Sequence, residues 1–350
     1  MLNTILEKAV KKGASDIFVI AGLPITYKVH GRQDRDDGEI MRPAEILPLI
    51  GEIYKAGRRA TTTPENRLDD DFSFSISHLG RFRVNVFRQR GTLSAVIRVI
   101  KFGIPDPASL SITENVLSLA DNMTGLVLVA GAAGSGKSTT LACMIDRINH
   151  DREAHIITME DPIEYLHSHN RSIVSQREVF IDTPGYLESL RSALRESPDV
   201  ILLGEMRDYE TISAAVTAAE TGVLLFSTLH TNSAANTISR IVDVFPAGQQ
   251  VQIRGQLAQL LRGVVCQQLV PTAAGGLMPV FEVMKSTPAI QNMIREGKLH
   301  QLESAMQAAR QEGMITMDTS LLELYSQGKI TKETLFAACN NYEMMAKRVR

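Results

Sequence analysis

Gly131-Ala132-Ala133-Gly134-Ser135-Gly136-Lys137-Ser138 has the spacing G-x-x-x-x-G-K-[ST], and it lies between the apolar run Leu126 to Val129 and a helical pattern that starts near Lys137. Strand, glycine-rich loop and helix in that order make a P-loop. Glycines let such a loop curl with its N–H groups pointing inward, and the helix N-terminus adds positive potential. The stretch therefore predicts a nucleoside triphosphate site. Gly131, Ala132, Ala133, Gly134, Ser135, Gly136, Lys137, Ser138 and Thr139 form the cradle, with Lys137 on the β and γ phosphates and Ser138 as a Mg²⁺ ligand.

Downstream of the loop the pattern alternates. Strands are expected at 125–130, 155–159, 199–203 and 223–228, with helices at 137–149, 186–196 and 208–220 between them. Alternation of this kind gives an α/β fold with a parallel sheet covered on both faces, whose ligand sites lie at the carboxyl ends of the strands. That rule sorts the remaining polar residues. Glu160-Asp161-Pro162-Ile163-Glu164 follows one strand, and Glu164 is placed to orient or deprotonate the attacking water. Val200 to Leu203 runs into Gly204-Glu205, the pattern of an apolar strand ending in an acid that holds Mg²⁺ through water. Leu224 to Thr228 ends at Leu229-His230, where an imidazole faces the γ-phosphate. His30, His155, His167, His169 and His300 lack such placement and are read as surface or packing residues.

Upstream, Leu2 to Lys12 places Leu2, Ile5, Leu6 and Val10 on one helical face, and Gly13 ends it. Asp16 to Ile20 and Ile25 to Val29 read as strands, and Arg32 to Glu39 as an exposed loop. A helix from Pro43 to about Tyr54 turns Ile46, Leu47, Ile50 and Ile53 inward. Three strands follow, at 71–77, 81–87 and 94–100. The order α, β, β, α, β, β, β makes a small α+β domain over residues 1–100. Asp69-Asp70-Asp71 reads as a solvated strand entry. Arg81 and Arg83 stand on the polar side of one strand and Arg98 on the next. Gly103 to Pro107 carries two prolines and centres a linker at 101–111, leaving 112–350 to the second domain.

Composition narrows the function classes. The chain has 350 residues, 44% apolar and 22% charged, as expected of a globular protein with room for two cores. A formal net charge of −2 argues against a surface built for nucleic acid. Cys143, Cys266 and Cys339 stand far apart with no C-x-x-C pair, which predicts buried free thiols in a reducing compartment. No apolar run approaches about 18 residues and the N-terminus has no signal-peptide core, so a cytoplasmic location without direct membrane insertion is expected.

Gly131 to Thr140, Glu160 to Glu164, Val200 to Asp208 and Ala218 to Ala234 together resemble the P-loop, Asp box, Walker B and His box of the type II/IV secretion ATPases. Gly13-Ala14-Ser15-Asp16, Arg81-Phe82-Arg83-Val84-Asn85, Ile241 to Pro246 and Ala289 to Glu296 are closest to the pilus-retraction branch of that family. The resemblance covers nearly the whole chain. It implies a homohexameric ring of subunits, each with a PAS-like N-terminal domain and a RecA-like ATPase domain, binding ATP and Mg²⁺ at subunit boundaries. It implies that Glu164 is the catalytic glutamate, Glu205 the Mg²⁺-side acid, His230 the γ-phosphate contact, and Arg81, Arg83 and Arg98 candidates for arginines that close over the nucleotide. The work it implies is retraction of a type IV pilus, seen as twitching motility. The expected location is peripheral at the inner membrane, through a platform protein of the pilus machine, beside a paralogous retraction ATPase. Two positions depart from the family pattern. Val223 replaces the first histidine of the His box, and Gln291 and Met293 replace Arg and Leu in the short helix that begins at Pro288.

The remaining chain reads as a long glutamine-rich helical region from Ile238 to Leu269, a turn at Ala273 to Gly276, a strand at Pro279 to Met284, and amphipathic helices over 301–345 broken at Gly313 and Gly328. Met306, Met314, Met317, Met344 and Met345 are assigned to helix packing, and Met344 to Arg350 to a basic tail. The four-cysteine insertion typical of extension and secretion motors is missing from this part of the sequence. Competing readings are an extension or secretion motor, an ATP-binding accessory adaptor of another motor, and a RecA-type nucleic-acid translocase.

Overall fold

The computed structural model describes residues 1–59, 69–100 and 103–349. The chain divides into two compact units, Met1–Gly103 with Glu164–Leu166, and Ile104–Ile163 with His167–Arg350. Of the expected linker at 101–111, Lys101 and Phe102 lie outside the described residues, as does the last residue of the basic tail.

The first unit runs α1 (Leu2–Lys12), β1 (Asp16–Val19), β2 (Thr26–Val29), β3 (Arg32–Arg35), α2 (Pro43–Ala56), β4 (Asp69–Ile76), β5 (Gly80–Gln89) and β6 (Thr92–Ile100). Its strands form an antiparallel sheet in the order β3-β2-β1-β6-β5-β4. One sheet face packs with both helices in a core that includes Leu6, Ile17, Ile50, Phe82 and Ile97. Period-two alternation on β5 buries Phe82, Val84 and Val86 and leaves Arg81, Arg83 and Asn85 on the other side.

Several expectations for this unit are corrected. Arg32–Arg35 is a strand paired with β2, not a loop. Its four polar residues conceal it from hydrophobic patterning, and charge suits an edge strand because it discourages further pairing. The buried stripe of α1 uses Ala9 instead of Val10, which is 38% exposed, and α2 buries Leu49 instead of Leu47. In both helices the stripe follows i, i+3, i+4, i+7 more strictly than apolar composition suggested. Asp69–Asp71 lies within β4, where Asp70 is buried and bound by Arg59 at 2.6 Å.

The second unit contains α3 (Glu114–Leu117), β7 (Gly125–Ala130), α4 (Lys137–Asp151), β8 (His155–Glu160), β9 (Ile173–Glu178), α5 (Tyr186–Ala193), β10 (Val200–Leu203), α6 (Tyr209–Glu220), β11 (Leu224–Leu229), α7 (Ala234–Asp243), α8 (Gln250–Leu260), β12 (Leu261–Pro271), β13 (Leu277–Lys285), α9 (Pro288–Glu296), α10 (Leu302–Ala308), α11 (Met317–Ser326), α12 (Lys332–Ala338) and α13 (Tyr342–Arg348). The sheet order is β13-β12-β7-β11-β10-β8-β9, parallel throughout except at β13. Both faces are covered, so β7 and β10 are apolar at every position, while β11 admits only the buried Ser227 and Thr228 near its end. Leu126 and Leu128 enter one core, while Val127 and Val129 enter the other.

The expected α/β fold holds, with two corrections. Ile238 to Leu269 is not helical throughout, since Leu261–Pro271 forms β12 and pairs with the P-loop strand β7. Its glutamines mask the strand pattern because Gln267 and Gln268 point to opposite faces and each finds a hydrogen bond. A further strand, β9, was missed at the sheet edge, where alternation is weak and Ile173 is 63% exposed. Met306, Met314, Met317 and Met345 are buried, as expected.

Candidate active site

The backbone leaves β7 at Gly131, whose N–H donates to the Leu229 carbonyl of β11 at 3.2 Å. Gly131 and Gly136 have φ of 150° and 90°, angles that side chains disfavour. Close approach to β12 adds a second constraint. A Cβ on Gly131 would strike the Gln267 carbonyl, and one on Gly136 would lie 2.8 Å from Gln267 Nε2. Gln267 is 4% exposed, and its Oε1 accepts a 2.7 Å hydrogen bond from Thr140 Oγ1 of α4. It thus supports both ends of the loop from behind. Sequence reasoning missed this residue because its strand was read as helix.

Lys137, the first residue of α4, is buried, and its Nζ donates to the carbonyls of Gly131 at 2.8 Å and Ala132 at 2.9 Å. The ammonium is held within the curl of the loop. Ala132, Ala133 and Gly134 are exposed, and Ser138 and Thr139 are half-buried in the first helical turn. Ser135 Oγ is buried without a hydrogen-bond partner.

Three strand ends are stitched together beside the loop. Gly204 N donates to Met159 O at 2.8 Å, Thr228 Oγ1 donates to Gly204 O at 2.6 Å, and Met206 N donates to Thr228 O at 3.1 Å. This brings Glu205 and His230 together as the strand-end rule predicts, with His230 Nε2 at 3.5 Å from Glu205 Oε2. Arg207, which sequence reasoning overlooked, places Nη2 at 2.6 Å from the other carboxylate oxygen. Its position two residues beyond Glu205 was the available signal. The adjacent carboxylate raises the Arg207 pKa. A cleft of about 390 Å³ includes Asp161, Tyr186, Glu205 and Arg207 in its lining. Burial pushes the Tyr186 phenol upward, and the negative charge of Glu205 adds to the effect.

Glu160 ends β8 and accepts hydrogen bonds from Thr158 Oγ1 at 2.6 Å and Gln176 Nε2 at 3.2 Å. Glu164 is exposed and falls in the Glu164–Leu166 stretch that belongs to the first unit. His155 joins Glu196 O and Ser175 Oγ in a packing role.

Arg81, Arg83 and Arg98 belong to the sheet of the first unit, where Arg83 and Arg98 are directly opposed across β5 and β6. Arg83 grips Asp71 through two nitrogens, at 3.2 and 2.6 Å. Arg98, 68% exposed, touches Asp16 at 3.2 Å, and Arg81 donates to Ser75 Oγ at 3.4 Å.

The donor set fits a nucleotide-bound Mg²⁺. A helix-start hydroxyl, Ser138, and a strand-end carboxylate, Glu205, are hard oxygen donors of the kind that supplement phosphate and water around this ion. The orphaned Ser135 Oγ and the positive-φ glycines complete an anion cradle.

Comparison with known proteins shows the family of the chain. PilT of Pseudomonas aeruginosa, a type IV pilus retraction ATPase, is 45% identical over 332 residues, covering 95% of this chain and 96% of its own. PilU of the same organism, a type IV pilus ATPase, is 40% identical, covering 98% of this chain and 90% of its own. A crystal structure of the pilus retraction motor PilT with bound ADP superposes with a TM-score of 0.88 at 43% identity, covering 98% of both chains. The family model for type II/IV secretion system proteins matches residues 1–340, and this chain belongs to that family.

Proposed function

We propose that this protein is a homohexameric ATPase that powers retraction of type IV pili. The convergence of the P-loop, Glu205 and His230 at adjoining strand ends of one sheet carries the reading. Similarity to PilT over nearly the full length supplies the direction of work. Bound Mg²⁺ supplies charge neutralisation at the β and γ phosphates. The chain's own residues supply the rest. Lys137 would exchange its two loop carbonyls for phosphate oxygens, and Ser138 and Glu205 are the residues that would hold the ion. Thr139 and the loop amides orient the phosphates, His230 senses the γ-phosphate, and Glu164 orients the attacking water.

Arg81, Arg83 and Arg98 are the candidates to stabilise charge on the transferring group. Rotation of the 1–100 domain against the 112–350 domain across the 101–111 linker would convert closure of the site into displacement. The partners proposed are a platform protein at the cytoplasmic side of the inner membrane and a paralogous ATPase of the PilU kind. No helix among the described residues is long and apolar enough to cross a membrane, in keeping with peripheral attachment.

The test combines chemistry and cells. Purified protein with Mg²⁺ hydrolyses ATP, and Glu164→Gln binds ATP while turnover falls about 10² to 10⁴-fold. Cells lacking the protein keep surface pili and lose twitching. Undiminished turnover in Glu164→Gln removes that residue from catalysis, and cells without pili indicate an extension motor instead.

A further inference from the structure

Glu282 is a buried carboxylate of β13 that takes no part in the proposed chemistry, and it is 5% exposed. Both of its oxygens are engaged by helix starts. Oε1 accepts from the N–H of Ala234, the first residue of α7, at 2.7 Å, and Oε2 accepts from the N–H of Met317, the first residue of α11, at 3.2 Å. A carboxylate suits both, since each N–H is otherwise unmatched within its helix and lies at the positive end of the helix dipole.

The α7 side leads directly to His230. Residues 231–233, which follow His230 directly, are strapped to the first turn of α7. Ser233 accepts from Asn236 N at 3.2 Å, Thr237 Oγ1 donates to Ser233 O at 2.8 Å and meets Thr231 Oγ1 at 2.7 Å, and Asn236 Nδ2 donates to Asn232 Oδ1 at 2.8 Å. Movement of the α7 start therefore carries the His230 segment with it. The α11 side leads to the C-terminal helices. Asp318, next to Met317, accepts from the N–H groups of Asn340 and Asn341 at 2.6 and 2.9 Å, tying α11 to the approach to α13.

We propose that Glu282 is a positioning residue that sets His230 by clamping the start of α7 to β13 through its bond to the Ala234 N–H. This inference rests on the reading of His230 as the γ-phosphate contact. The clamp acts through backbone amides, so its effect depends on acceptor atoms and not on packing volume.

Two substitutions of similar size separate these roles in the full-length protein with Mg²⁺ and ATP. Glu282→Gln keeps one oxygen, which remains on the shorter bond to Ala234, and kcat stays within about threefold of wild type. Glu282→Met keeps the bulk and loses both acceptors, so kcat falls about tenfold or more while KM for ATP changes less than threefold. Combined with His230→Ala, Glu282→Met adds no further loss. Thermal melting monitors folding of every variant. Equal kcat values for the Gln and Met variants, or a full multiplicative loss in the double variant, overturn the proposal. A slow His230→Ala beside a normal Glu282→Met overturns the clamp alone, whereas a normal His230→Ala overturns the His230 reading and the clamp with it.

Discussion

The two sheets of this chain use opposite rules for placing polar groups. In the first unit, core residues occupy one face of an antiparallel sheet and the arginines stand on the other, so polar residues alternate along the strands. In the second, both faces of the parallel sheet are buried, and reactive polar groups cluster where strands end. A face tolerates polar substitutions in register with the pleat, whereas a strand end permits a single point of escape per strand. Polar groups on the first sheet are therefore distributed among neighbours, and those of the second are concentrated at strand ends.

The largest test asks whether the distributed face contributes to chemistry at all. Replacing Arg81, Arg83 and Arg98 together by alanine lowers ATP turnover about 10³ to 10⁵-fold if they act as fingers. Exposed ion pairs contribute about 0 to 1 kcal/mol each, so the melting transition moves little. Asp71→Asn releases the carboxylate grip on Arg83 and leaves turnover intact, which separates a catalytic arginine from a structural pair. Steady-state phosphate release and thermal melting on the same samples decide it. Normal turnover of the triple variant would confine the chemistry to the second sheet.

A smaller effect tests how the concentrated site is supported. Gln267→Ala removes the amide that bonds Thr140 and lies behind Gly131 and Gly136. Leaving the Thr140 hydroxyl buried and unmatched costs about 1–3 kcal/mol. Loss of support under the loop raises KM for ATP more than it lowers kcat. Gln268→Ala is the control. Its side chain serves the opposite face, donating to Ala338 O at 3.1 Å, and its replacement leaves KM unchanged. Equal KM shifts in the two variants would show that Gln267 has no special relation to the loop.

The same contrast explains what could be read from sequence. Fully buried strands such as Val200–Leu203 announce themselves as apolar runs, and their exits point to Glu205 and His230. The P-loop adds fixed spacing. Gln267 and Glu282 escaped because each is a polar residue inside a strand, satisfied by a partner far away in sequence, Thr140 for one and Ala234 with Met317 for the other. Only the fold creates those pairings. Arg32–Arg35 escaped for a different reason, since an edge strand held by backbone pairing needs no apolar pattern.

The smallest effect concerns a titratable group that neither rule covers. His167, beyond the Glu160–Glu164 segment, places its backbone N–H on Gln176 Oε1 of β9 at 2.8 Å, and its Nδ1 is buried without a partner. Burial lowers its pKa from 6.5 to about 4. The unfolded chain therefore binds a proton near pH 6.5 that the folded chain refuses until about pH 4. Stability from this residue is complete above pH 6.5, declines as pH falls towards 4, and changes no further below that. At about 1.4 kcal/mol per pKa unit, partial solvent screening leaves roughly 1–3 kcal/mol. His167→Phe, which removes the proton site while keeping a ring, flattens the difference in unfolding free energy between pH 7 and pH 4.5 by that amount. Parallel pH profiles for wild type and variant would place His167 in solvent, and the buried edge at β9 would then carry no titrating histidine.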